Sequence, residues 1–106
     1  MDPEFDELKR EFLAEAESKI KEIESLMGDK DGGRARERMI YLAHQLKGAG
    51  GSYGFQRIST EAAAIETVLE KIGESPTADQ SSELASRVAN TAEEISQRLQ
   101  ELAPVS

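Results

Sequence analysis

The chain has 106 residues, 38% of them hydrophobic, a formal net charge of −8, and neither cysteine nor tryptophan. That length predicts one domain, and at this size a bundle of helices is the economical way to bury a modest core. Without cysteine there are no disulfides or thiolate metal sites. The acidic balance disfavours nucleic acid and anionic membrane surfaces, which select basic patches, while leaving protein partners open. No apolar run approaches the roughly 20 residues of a membrane span, and no signal-peptide pattern is present, so a cytoplasmic protein is expected.

Met1-Asp2-Pro3-Glu4-Phe5 reads as a vector-derived leader and is set apart from functional reasoning. The alternative is a native helix start, with Asp2 as N-cap and Pro3 at N1. The first helix is predicted over about Asp6 to Met27. Its apolar stripe is Leu8, Phe12, Ala16, Ile20, Ile23 and Met27, with Gly28 as its stop. The following Gly28–Gly33 segment has a partial likeness to a calcium loop. It lacks the third acidic position and the distal glutamate, so calcium is rejected.

The second helix is predicted over about Arg34 to Tyr53. Arg34, Arg36 and Arg38 open it, against the helix-dipole preference, and read as a solvated face. At about 100° per residue, Met39, Leu42, Ala43, Leu46, Ala49, Gly50 and Tyr53 share one core-facing stripe. His44, the single histidine, lies roughly 140° from its centre, at the rim or in water, with Ile40, Lys47, Gly48 and Gly51 around it. A lone helical histidine is by itself an ordinary surface residue. Its neighbours change that reading. Glycine costs about 1 kcal/mol relative to alanine inside a helix, and this helix has Gly48, Gly50 and Gly51 near its end. Such glycines make sense if something bulky must come close to the imidazole.

Gly54 suits a left-handed helix end, with Phe55 and Ile58 folding back into the core. The third helix is predicted from Gln56 or Ser59 to Ile72, on a stripe of Ile58, Ala62, Ile65, Leu69 and Ile72 flanked by Val68. Gly73-Glu74-Ser75-Pro76 breaks the chain. Thr77 and Gln80 form a capping-box pattern. The fourth helix follows to about Leu102 on Leu84, Val88, Thr91, Ile95, Leu99 and Leu102, and Pro104 ends it. The fold class predicted is all-α.

His44-Gln45-Leu46-Lys47-Gly48, preceded by Ala43 and followed by Gly51, Gly54 and Phe55, resembles the signature of histidine-containing phosphotransfer (HPt) domains, and is similar to the phosphoacceptor domain of chemotaxis-type kinases. The specific part of the likeness runs from Leu42 to about Glu66, and the helix layout extends it over residues 6–106 as a single HPt-like domain. The resemblance implies an antiparallel up-down-up-down four-helix bundle. His44 would be the phosphoacceptor, exchanging a phosphoryl group with the aspartate of a response-regulator receiver domain. Lys47 would offset phosphate charge, and Gly48 and Gly51 would give the partner access. Chemotaxis-type domains carry a glutamate 22 positions after the histidine, so Glu66 would hold the imidazole through Nδ1–H and leave Nε2 as nucleophile. The spacing alone fits an ordinary surface glutamate equally well. On the same resemblance, some of the arginines would help hold an acidic receiver.

The chemistry fits the residue. Imidazole is a nucleophile near neutral pH because part of it is uncharged, and phosphoryl transfer is mostly positioning and charge neutralisation. The resemblance implies a phosphocarrier and not an enzyme, with no cofactor of its own. The Mg²⁺ is expected on the receiver, which stands alone or within a hybrid histidine kinase in the same or another chain. Gly48-Ala49-Gly50-Gly51 is not a P-loop, since no Gly-Lys-Ser/Thr follows and no strand precedes it. One histidine without cysteine does not make a zinc site. Two rivals stand beside the relay: a non-catalytic module that binds a receiver without phosphotransfer, and the acceptor hairpin of a dimeric kinase. Against the second, Gln45 follows the histidine where an acid is expected. A monomer is expected.

Overall fold

A computed structural model of the chain describes residues 3–28 and 32–102. They form α1 (Pro3–Leu26), α2 (Gly32–Ser52), α3 (Gln56–Lys71) and α4 (Ala78–Leu102), with no strand among the described residues. All four predicted helices are present. α1 begins three residues before the expected Asp6 and takes in Pro3 and Phe5, and it ends at Leu26, just short of the expected Met27. Met1 and Asp2 of the expected leader, Asp29, Lys30 and Asp31 of the rejected calcium loop, and the expected terminator Pro104 lie outside the described residues.

Side-chain ties between helices fix their directions. Arg10 Nε donates to the Leu102 carbonyl at 2.8 Å, joining the first part of α1 to the end of α4. Arg38 on α2 grips both carboxylate oxygens of Glu22, late in α1, at 2.7 and 3.1 Å. Ser59 Oγ donates to the Lys47 carbonyl at 2.8 Å, and Gln80 Nε2 donates to the Lys71 carbonyl at 3.3 Å. Each helix is therefore antiparallel to the next. Helices adjacent in the chain pack together and α1 closes against α4. This is the up-down-up-down four-helix bundle.

The core follows the predicted stripes with two differences on α1 and one on α2, where Ala35, outside the expected stripe, is buried. Leu13, outside the expected stripe, is fully buried beside Phe12. A helix with neighbours on two sides buries a face wider than one line of residues. Leu8, expected inside, is 46% exposed. Two residues on, Arg10 meets the last described carbonyl of α4. Phe12 stacks on Tyr53 and Phe55 at 5.2 and 5.8 Å between centroids, sealing α1 against the α2–α3 turn.

That turn sets the register of α2 against α3. Gly54 has φ +83°, the Gly54 N–H donates to the Gly51 carbonyl at 3.2 Å, and the Phe55 N–H donates to the Gly50 carbonyl at 2.8 Å. These are the two bonds of a Schellman helix end. At the other corner, Thr77 and Gln80 cap α4 reciprocally: Gln80 N–H to Thr77 Oγ1 at 3.0 Å and Thr77 N–H to Gln80 Oε1 at 2.9 Å.

Candidate functional site

His44 stands on the outer face of α2, between turns anchored by buried Leu42, Ala43 and Leu46. Its side chain is 66% exposed. From the Schellman turn, about ten residues back along α2 and about ten forward along α3 each cover about 15 Å, which puts Glu66 level with His44. Glu66 Oε2 is 3.0 Å from His44 Nδ1, and Glu66 Oε1 accepts from Lys47 Nζ at 2.8 Å. His44 and Lys47 are three apart and neighbours on the helix surface, so one carboxylate spans both. It is only 13% exposed.

The Lys47 hydrogen bond, reinforced by the one to His44, holds the Glu66 carboxyl below the usual glutamate range, against the opposing effect of its burial. Glu66 is therefore ionised at neutral pH and only accepts. In the neutral ring Nδ1 carries the shared proton, and the lone pair sits on Nε2. Nε2 has no hydrogen-bond partner among the described residues. The surface is thus a nucleophilic nitrogen facing outward, a cation one turn away, and a nearly buried anion beneath both.

The three glycines divide. A Cβ on Gly48 would meet nothing within 4 Å, and one on Gly51 would make ordinary contact with Ser59 Oγ at 3.7 Å. These two place no side chain on that side of α2. Gly50 answers to a different neighbour. Its Cβ would lie 3.2 Å from the Ser59 backbone nitrogen, so it permits the close approach of α3 and has no part in clearing the imidazole.

One residue missed by sequence reasoning adjoins the patch. Tyr41, one turn before His44, is 51% exposed. Gln45 Nε2 donates to its hydroxyl at 2.7 Å, and the Arg38 guanidinium lies over its ring at 5.4 Å. The sequence signal was an aromatic residue three positions before the histidine, off the core stripe. The arginines are not a uniform solvated face: Arg34 is exposed, Arg38 is tied to Glu22, and Arg36 is half-buried with Nη1 3.4 Å from the Leu69 carbonyl. A cavity of about 620 Å³ is lined by Met39, Leu69, Ile72 and Leu84 where α2 and α4 begin, and includes none of the predicted site residues.

Among the described residues no group of three or more His, Asp or Glu side chains gathers as metal ligands would. Among the described residues no helix is long and apolar enough to cross a membrane. The family model described as "Hpt domain" matches residues 7–103, nearly the whole chain. No curated protein and no solved structure matches the chain significantly.

Proposed function

This chain belongs to the Hpt domain family, a family of phosphotransfer modules in two-component signalling, and on that premise we propose that it is a phosphorelay intermediate with His44 as its phosphoacceptor. The observation that carries this reading is the imidazole held by Glu66 at Nδ1 with Nε2 turned off the protein. The partner is a receiver domain, free or within a hybrid kinase, which supplies the phosphorylated aspartate and the Mg²⁺.

In the forward step the Nε2 lone pair attacks the phosphorus of the aspartyl phosphate. The Nε2–P bond forms, the P–O bond to the aspartate breaks, and the receiver's carboxylate leaves. No proton need move, because Nε2 enters unprotonated and Nδ1 keeps its proton toward Glu66. Glu66 is a positioning residue: it fixes the tautomer and steadies the positive charge that the ring gains on phosphorylation. Lys47 Nζ, one turn from the ring, offsets charge on the phosphoryl oxygens. The phosphoramidate product is itself a high-energy species, so the reverse transfer to a second receiver uses the same groups. Gly48 and Gly51 leave room for the receiver's loops. The chain acts as a carrier: the chemistry needs one nucleophile and one cation from it, and the partner provides the rest.

The test is transfer from a panel of phosphorylated receiver domains to wild type and His44→Gln, followed by intact mass at alkaline pH and again after acid. One added phosphoryl group that is stable to alkali, labile to acid and absent from the variant is the expected result. Phosphorylation of His44→Gln would overturn the assignment. Receiver binding without transfer to the wild type would identify a non-catalytic docking module.

A further inference from the structure

Beyond the acceptor itself, α2 presents a held aromatic ring. A singly exposed apolar side chain is ordinary on a protein surface. Tyr41 differs in three respects. Among the described residues it is the most exposed large hydrophobic side chain, at 51% against 46% for Leu8 and 42% for Phe5. It is restrained twice, by the 2.7 Å hydrogen bond from Gln45 to its hydroxyl and by the Arg38 guanidinium over its ring, and Arg38 is itself fixed by Glu22. It also sits three residues before His44, on the same exposed side of the helix. Its hydroxyl accepts from Gln45, so its own proton is free to donate to a partner. An aromatic ring already fixed in place loses little conformational freedom on binding, which is what an interface anchor requires.

The charge distribution indicates what meets this ring. Arg34, Arg36, Arg38 and Lys47 against the single acid Glu37 give the residues of α2 a net charge of +3, in a chain of −8. Glu22 and Glu66 on the neighbouring helices offset Arg38 and Lys47, so the excess that a partner meets is smaller and includes the exposed Arg34. α1, α3 and α4 each carry more acids than bases. The one basic helix is the one bearing the histidine. A receiver's aspartyl-phosphate site holds Mg²⁺ through carboxylates and is therefore acidic, so the two surfaces are complementary.

We propose that Tyr41, held by Arg38 and Gln45, is the anchor on which a phosphorylated receiver domain docks beside His44, its acidic rim facing the cations of α2. The proposal rests on the relay reading of His44. Tyr41 touches the partner and not the reacting atoms. It sets which receiver is accepted and how tightly, while His44 and Lys47 set what happens to the phosphoryl group.

The experiment compares two phosphoryl donors on the intact chain. One is the receiver domain that charges the wild type fastest in a panel, phosphorylated beforehand. The other is phosphoramidate, a small donor that reaches His44 without docking. The readout is the ratio of receiver to phosphoramidate transfer rates for wild type, Tyr41→Ala and Tyr41→Phe, with receiver KM and kcat separated and helicity checked by circular dichroism. The expected result is a ratio at least about tenfold lower in Tyr41→Ala, through KM, as for an interface hot spot, with most of the loss restored in Tyr41→Phe. An unchanged ratio in Tyr41→Ala overturns the proposal. So does an equal fall with both donors, which would make Tyr41 a support of the helix. If phosphoramidate fails to charge the wild type, the relay reading of His44 fails first and the proposal with it. If phosphoramidate succeeds and no receiver does, the receiver is the wrong occupant.

Discussion

Lys47 and Glu66 meet at 2.8 Å across the α2–α3 interface, on the carboxylate oxygen that His44 does not use. The nearly buried carboxylate is thus divided between a cation and an imidazole, and each partner depends on it differently. On the proposed relay reading, the ring takes its orientation and tautomer from Glu66, and Lys47 takes from it a resting position one turn from the ring.

Replacing Glu66 with alanine therefore loosens two groups at once. Transfer to His44 is expected to slow by about ten- to a hundredfold, the scale of a small misplacement of a reacting group. The ¹⁵N chemical shifts of the ring distinguish the cause: the wild type should show the Nδ1–H tautomer and Glu66→Ala a mixture. Lys47→Ala should slow transfer while leaving the tautomer as it is. An unchanged tautomer in Glu66→Ala would mean that the 3.0 Å contact does not orient the ring.

The helices, their order and most of the core were legible because every helix keeps an apolar stripe and has a marked end. Ile58, Ala62, Ile65 and Leu69 are all buried where periodicity put them. Leu13 was missed because periodicity fits one stripe, whereas α1 packs against two neighbours. The Gly50–Ser59 approach was illegible for another reason. A glycine that clears space for a partner and one that lets two helices touch look identical in sequence, and only the neighbour at 3.2 Å separates them. For Glu66, its place opposite His44 follows from turn length and helical rise, but its simultaneous hold on Lys47 depends on rotamers that no spacing specifies.

The same carboxylate gives stability a pH dependence of fixed sign. Glu66 is depressed below its ordinary value of 4.5 in the folded state, chiefly by the Lys47 hydrogen bond. Its contribution is therefore fully present above the unfolded-state value and is lost as pH falls through the folded one. In urea unfolding, the stability difference between wild type and Glu66→Gln should be flat around neutrality and shrink below about pH 4.5. A difference that grew on acidification would contradict the ion-pair account.

The glycines yield opposite outcomes from one substitution. Gly48→Ala adds a methyl group where nothing lies within 4 Å. Helix propensity should raise stability by about 1 kcal/mol, or roughly 4–8 °C in Tm for a domain near this size. The same methyl narrows the approach to His44, so receiver transfer should slow by up to about tenfold. Gly50→Ala drives its Cβ to 3.2 Å from the Ser59 backbone nitrogen, which cannot rotate away. Overpacking of about 1–3 kcal/mol should outweigh the propensity gain and lower Tm. Thermal unfolding of the two variants decides both signs.

Salt should reveal which charges the receiver meets. At long range the chain's −8 repels an acidic partner, whereas at contact the cations of α2, Arg34 among them, attract it. The Debye length decides between them. At about 0.1 M salt it is about 10 Å, so acids on the far helices are largely screened while cations at the interface still act. From about 0.1 M toward about 1 M, where the Debye length falls to about 3 Å, the second-order rate of receiver transfer should decline several-fold, with the saturating rate little altered, because steering acts on encounter. Arg34→Glu should flatten that decline, since Arg34 is an exposed cation on the same helix. Stopped-flow transfer across the salt series measures it. A rate that rose with salt throughout would mean that whole-chain repulsion dominates and that the basic helix is not the surface the receiver meets.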